Sequence, residues 1–227
     1  MLLLTTTDAQ PPEHLVAAAA AGLLDISPAG IAKLAAAGIL EPDRSRFRRV
    51  DVEALAALPQ LRVTGGEILV LRLDGGDPST GGVHLDMTDQ ELTAAALQGW
   101  RGDVQRMTAC PLLVVTVATI PIAVFRITGL AGTTPAASRT VANRERHRLD
   151  GVLLGRRGQE VVAGEAEERA WVELVLGSRV VSRSAGPVAY VGGSGEQGGG
   201  EEAEGDAGAE GEATVDVAVL GDGSQGV

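Results

Sequence analysis

One cysteine, five aromatic residues and a single lysine among 227 residues set the first limits on this chain. With only Cys110, no internal disulfide can form, which fits a reducing, cytoplasmic compartment. The three histidines, His14, His84 and His147, stand far apart without companion cysteines. The ligand spacings of zinc are therefore missing, and no metal or other cofactor is expected. No Ser-His-Asp, Cys-His or paired-carboxylate spacing can be picked out, so the chain reads as non-enzymatic. Long apolar runs are missing too. The opening MLLLTTTDAQPPE lacks a basic leader and a sufficient apolar core for a signal peptide. Pro111 to Phe125 is fifteen residues, rich in β-branched side chains and interrupted by Pro121. It predicts two buried strands, Leu112–Ala118 and Ile122–Ile127, joined near Thr119 to Pro121, in preference to a membrane span.

Charge is unevenly placed. Residues 1–62 hold 6 basic and 7 acidic side chains, 63–192 hold 13 and 14, and 193–227 hold 0 and 9. The formal net charge of −11 is thus almost all tail, and the acidic total does not exclude a polyanionic partner for the rest.

The segment from Leu15 to Leu58 carries the sharpest local pattern. A helix is predicted over His14–Leu24, leaving off near Gly22, with a tight turn at Asp25-Ile26. Ser27 caps a second helix with Pro28 at its first position, and Gly38 closes it. Ile31, Leu34 and Ala35 form its apolar stripe, leaving Ala29, Ala32, Lys33 and Ala36 on the other face. A hairpin follows, with Ile39-Leu40-Glu41 and Arg46 to Val50 as its strands and Pro42 to Ser45 as its turn. Asp51 is placed to cap a third helix, Val52–Leu58, stopped by Pro59.

The succession SPAGIAKLAAAGIL, PDRSRFRR and VDVEALAAL resembles the excisionase and MerR-type DNA-binding domain, over about residues 14–58. That resemblance implies a winged helix-turn-helix on double-stranded DNA. The second helix would enter the major groove through Ser27, Ala29 and Lys33, and Arg44, Arg46, Arg48 and Arg49 would neutralise phosphates. Domains of this kind carry Arg, Asn, Gln or Thr at the exposed helix start. Alanine there can touch a thymine methyl but makes no bidentate bond to a base, so the helix alone should read sequence weakly. A homodimer on paired half-sites, or a second contact elsewhere in the chain, is the expected remedy.

The middle of the chain reads as α+β. Strands are predicted at Glu67–Leu73, Leu149–Leu154, Glu160–Ala163 and Val188–Val191. Helices are predicted from Thr88, in capping-box spacing with Glu91, to Gly99, and over Glu167–Leu176 with Trp171 in the core. Many short strands around few helices suggest a small barrel. The pieces RHRLDG, GSRV and GPVAY, with the apolar strand pair before them, resemble a PUA-like β-barrel module over about 66–192. RNA or modified bases are the ligands that resemblance implies. A stacking surface and a phosphate contact would come from Trp100 with Arg101, and further cations from a loop Arg139 to Arg148 that carries Arg139, Arg144, Arg146 and Arg148. Trp100 plugging the barrel is the alternative. GRRG at 155–158 lacks the features of a phosphate loop and reads as a turn.

The expected organisation is a flexible segment 1–13, a winged helix-turn-helix 14–62, an α+β barrel-like domain 66–192, and a disordered Gly/Glu-rich tail 193–227. Within the tail, Thr214 to Leu220 alternates and could add a strand to an exposed edge. A DNA-binding regulator is the leading expectation. An adaptor of a phage or defence assembly, whose helices dock protein, and a modified-base sensor of a restriction system are the alternatives.

Overall fold

The computed structural model describes residues 12–77, 81–134, 145–160, 164–182 and 186–192, and the backbone of 214–218. The chain is mixed α+β with six helices among the described residues. It opens with strand β1 (His14–Val16), then α1 (Ala17–Leu24) and α2 (Pro28–Ala36), whose axes bend by 98°. Asp25 makes that corner in the left-handed region at φ 50°, a conformation that Asp tolerates better than most residues. Gly22 therefore lies inside α1 and does not end it.

The first three residues of the expected first helix are strand instead. Leu15 alone points inward, and it is paired with Phe47 in an antiparallel ladder that a helix from His14 would forgo. Ser27 caps α2 as expected, its hydroxyl accepting the Gly30 N–H, with Pro28 at the first position. Gly38, at φ 73°, follows the last turn in the left-handed conformation that favours glycine.

The hairpin is tighter than predicted. Strands β2 (Pro42–Asp43) and β3 (Arg46–Arg48) flank a loop of only Arg44 and Ser45, both at positive φ, 47° and 71°. Two successive residues of this kind form the primed turn that matches strand twist. Ile39 to Glu41 is not a strand. The helix after it, α3 (Arg49–Ala56), starts earlier than expected, with Arg48 at its cap position. Asp51 sits in the first turn, where the helix dipole favours a carboxylate without its capping anything.

The remaining strands are β4 (Gln60–Thr64), β5 (Glu67–Leu73), β6 (Leu112–Val117), β7 (Ile120–Thr134), β8 (Arg146–Arg156), β9 (Val188–Gly192) and β10 (Thr214–Ala218). The helices among them are α4 (Asp89–Leu97), α5 (Val104–Ala109) and α6 (Ala166–Leu176). Five strands form a sheet in the order β8-β7-β6-β5-β9. That sheet is open, which corrects the barrel expectation. Strands β5 and β6 run parallel, joined by a crossover that carries α4 and α5, so the chain has to leave the sheet where an up-and-down barrel would turn back. The Pro111–Phe125 run is two buried strands, as expected, and β6 is buried at all six positions. Such burial follows from cover on both faces.

On one face Leu69, Leu71, Leu113, Val115 and Phe125 join Leu24, Ile31 and Leu34 of α1 and α2, and Leu40 just after them, in one continuous core. On the other, Ile68, Val70, Val114, Val124 and Leu154 pack beneath Val172 and Val175 of α6, with Trp171 alongside. Thr88 and Glu91 form the predicted capping box of α4. The short helix α5 was not anticipated; Asp103 caps it by accepting the N–H groups of Gln105 and Arg106. Strand β10 pairs in parallel with β4, Thr214 opposite Gln60, so the acidic tail is not unstructured throughout. Of the predicted strand at Glu160–Ala163, Glu160 is irregular and residues 161–163 lie outside the described residues.

Candidate nucleic-acid interface

The exposed start of α2 and the β2–β3 turn belong to the same N-terminal unit. Pro28, Ala29 and Ala32 are exposed on α2, while Ile31 and Leu34 are fully buried beneath them. Ser27 lies at this edge, but its hydroxyl is engaged as the helix cap. The primed turn lifts Arg44 away from the core, and strand alternation then buries Phe47 and turns Arg46 and Arg48 outward. The Arg44 and Arg46 side chains are exposed and have no hydrogen-bond or ion-pair partner among the described residues. Arg48 stands only loosely by Asp51, at 3.7 Å, with 61% of its side chain exposed.

Two of the expected DNA contacts, one to phosphate and one in the groove, are otherwise occupied. Arg49 donates from Nε to the Pro12 carbonyl (2.9 Å) and from Nη1 to Glu53 (3.0 Å), which fixes it along α3. Lys33 pairs with Asp74 at 2.6 Å, because the loop after β5 crosses the last turn of α2. The approach is at backbone level: Leu85 N–H donates to the Ala37 carbonyl, and Gly75 lies against the carbonyl of Lys33. Sequence reasoning missed Asp74. Nothing local marks it as a partner, whereas Glu53 stands at i,i+4 from Arg49.

In the sheet unit, Trp100 and Arg146 come together. Trp100 is partly buried and donates its indole N–H to the Ala96 carbonyl (2.6 Å), and its backbone bridges His147 in both directions. Arg146 donates to the Gly99 carbonyl (3.0 Å). With Leu73, Met87, Glu91 and Ala95 they line a cavity of about 540 Å³, a size that small-molecule sites commonly have. Arg148 opens instead onto a neighbouring cavity of about 300 Å³ beside Leu97 and Gln98. Arg101 is exposed and lines neither. Arg139 and Arg144 lie outside the described residues.

Arg156 and Arg157 act within the fold. Arg156 is buried and donates to the carbonyls of Met87 (2.6 Å) and Leu85 (2.5 Å) and to Asp89 (2.9 Å). Arg157 donates to the carbonyls of Pro121 and Leu176, the latter at the end of α6, and burial lowers its pKa. The GRRG segment is therefore structural. Among the described residues, no group of three or more His, Cys, Asp or Glu could hold a metal ion, and no single helix is long and apolar enough to cross a membrane.

Comparison with protein-family models, with curated proteins and with solved structures finds no match for this chain.

Proposed function

We propose that the chain is a non-enzymatic, DNA-binding regulatory protein in which residues 14–62 act as a winged helix-turn-helix. In this reading the start of α2 faces the major groove and the hairpin arginines hold flanking phosphates. Residues 66–192 are a second α+β module, built on the open sheet, that senses nucleic acid or a partner through the Trp100–Arg146 cavity. The observation that carries the reading is the pair Arg44 and Arg46, exposed on a tight hairpin turn with no carboxylate among the described residues to neutralise them. A cation already paired within the fold gains little from a phosphate. An unpaired one releases counterions from the duplex on contact, and that entropy drives binding.

The same geometry limits how well such a surface reads sequence. Ala29 and Ala32 present methyl groups only, and Lys33 is held by Asp74. Affinity from the wing should therefore exceed selectivity from the helix. Fluorescence anisotropy with a labelled duplex at two salt concentrations tests this, comparing wild type with Arg44→Ser/Arg46→Ser. The slope of log affinity against log salt should become shallower by about 2 in the double variant. A wild-type chain that fails to bind any duplex at about 50 mM salt ends the proposal.

One observation favours a second reading, an adaptor that docks protein. Val16, Leu23 and Val50 are exposed at 51%, 41% and 56%, all in the N-terminal unit. Under that reading partner capture is insensitive to salt, is lost in Val50→Asp, and is indifferent to the wing arginines.

A further inference from the structure

Where α2 meets the sheet, a cavity of about 430 Å³ opens between Lys33, Arg72, Asp74, Ala118 and the Gly186-Pro187 backbone. Its charges do not balance. Among the described residues Lys33 and Arg72 share this lining with one carboxylate, Asp74, which already pairs with Lys33. The Arg72 guanidinium donates through Nε, at 3.1 Å, and through Nη2 to a single acceptor, the carbonyl of Gly186. A carbonyl fixes the plane of the group without neutralising it. Of the five N–H donors of an arginine, the two on Nη1 and the second on Nη2 meet no acceptor among the described residues, and one from each nitrogen makes the end-on fork that matches two oxygens of a carboxylate or phosphate.

The lysine is available as well. Its partner Asp74 is 71% exposed, and an ion pair so open to water is held weakly. An anion already gripped by Arg72 can therefore compete for Lys33.

We infer that this cavity is a binding site for a compact, doubly charged oxyanion of the phosphate or dicarboxylate class, held between the Arg72 fork and the Lys33 ammonium. The anion takes the place of the Asp74 carboxylate at Lys33, and Asp74 turns to solvent. The site uses none of the wing arginines, so it stands or falls separately from duplex binding.

Calorimetric titration of the full chain with inorganic phosphate, and separately with malonate, at fixed ionic strength tests it. One saturable ion per chain is expected for at least one of the two, and whichever binds more tightly identifies the head group. Lys33→Met, at an exposed position, should weaken binding about tenfold, and Arg72→Gln at least as much. Asp74→Asn should tighten it several-fold by removing the internal competitor, an effect that a damaged fold cannot mimic. Arg44→Ser/Arg46→Ser should leave it unchanged, so a chain that has lost duplex binding can still pass. The inference is overturned if neither anion saturates below about 10 mM, the range in which non-specific ion association takes over. It is equally overturned if Lys33→Met and Asp74→Asn both bind as wild type does.

Discussion

Gly75 lies so close to Lys33 that a Cβ on the glycine would stand 1.9 Å from the lysine carbonyl oxygen and 2.7 Å from the Ala37 amide nitrogen. Both neighbours are backbone, so neither can move aside without unwinding the last turn of α2. Gly75→Ala should therefore cost about 3 kcal/mol, read by urea denaturation. Gly22 offers the opposite case: it is helical, exposed and has nothing within 4 Å of its would-be Cβ. Gly22→Ala should stabilise by about 0.5–1 kcal/mol. If the two substitutions shift the midpoint in the same direction, the docking of α2 on the 74–76 loop is wrong.

Arg156 ties β8 to the loop ahead of α4. Its side chain is 2% exposed, and removing it strands the carbonyls of Leu85 and Met87 inside the protein. Arg156→Met keeps most of the volume but supplies no donor. It should cost about 2–4 kcal/mol, one desolvation penalty for each carbonyl. Asp89→Asn should cost less than 1 kcal/mol, because that carboxylate is half exposed and the carbonyl bonds survive. Thermal unfolding of the two variants side by side reads the ordering, and a larger loss for Asp89→Asn contradicts it.

The elements legible in the sequence are those whose cause is local. Ser27 with Pro28, and Thr88 with Glu91, announce helix starts because capping is completed within three residues. The β-branched run from Leu112 reads as buried strand because both faces of β6 demand it. What the sequence hid depends on distant partners. His14–Val16 is a strand only because Phe47 lies opposite Leu15, and the open sheet follows from the parallel pairing of β5 with β6. The candidate site divides in the same way. Outward arginines at 44, 46 and 48 follow from alternation on a hairpin, whereas the capture of Lys33 by Asp74 requires knowing which loop crosses α2. Nor does any local pattern reveal that Arg156, the last residue of β8, is among the most buried polar residues.

Glu67 and Arg106 predict a pH dependence. The guanidinium donates from Nε to one carboxylate oxygen (2.8 Å) and from Nη2 to the other (2.6 Å), and it also covers the Tyr190 ring at 3.9 Å. These bonds hold the Glu67 carboxyl below its ordinary range. A folded-state pKa below the unfolded one means that the stabilisation is complete above the unfolded value, about 4.3, and fades as pH falls through the folded value. Half of Arg106 is exposed, so the effect is under about 1 kcal/mol. Glu67→Gln should melt below wild type at pH 7, with the gap closing toward pH 3. A gap that widens on acidification would falsify the pairing.

Cys110 should be chemically silent in the folded chain. It is 3% exposed, its thiol donates to the Arg106 carbonyl at 3.3 Å, and burial pushes its pKa up to about 11. The thiolate is the reactive form, and at pH 8 about one thiol in a thousand would be ionised even before access is considered. Ellman's reagent should therefore find no free thiol in the native chain within minutes, and one per chain in urea. The rate of reaction then reports opening of the α5–β6 junction that contains Cys110, rather than the chemistry of the thiol. Arg106→Ala should speed labelling, because it removes the side chain that pins α5 to Glu67 and Tyr190. Rapid native labelling of wild type would show instead that α5 does not cover this sulfur.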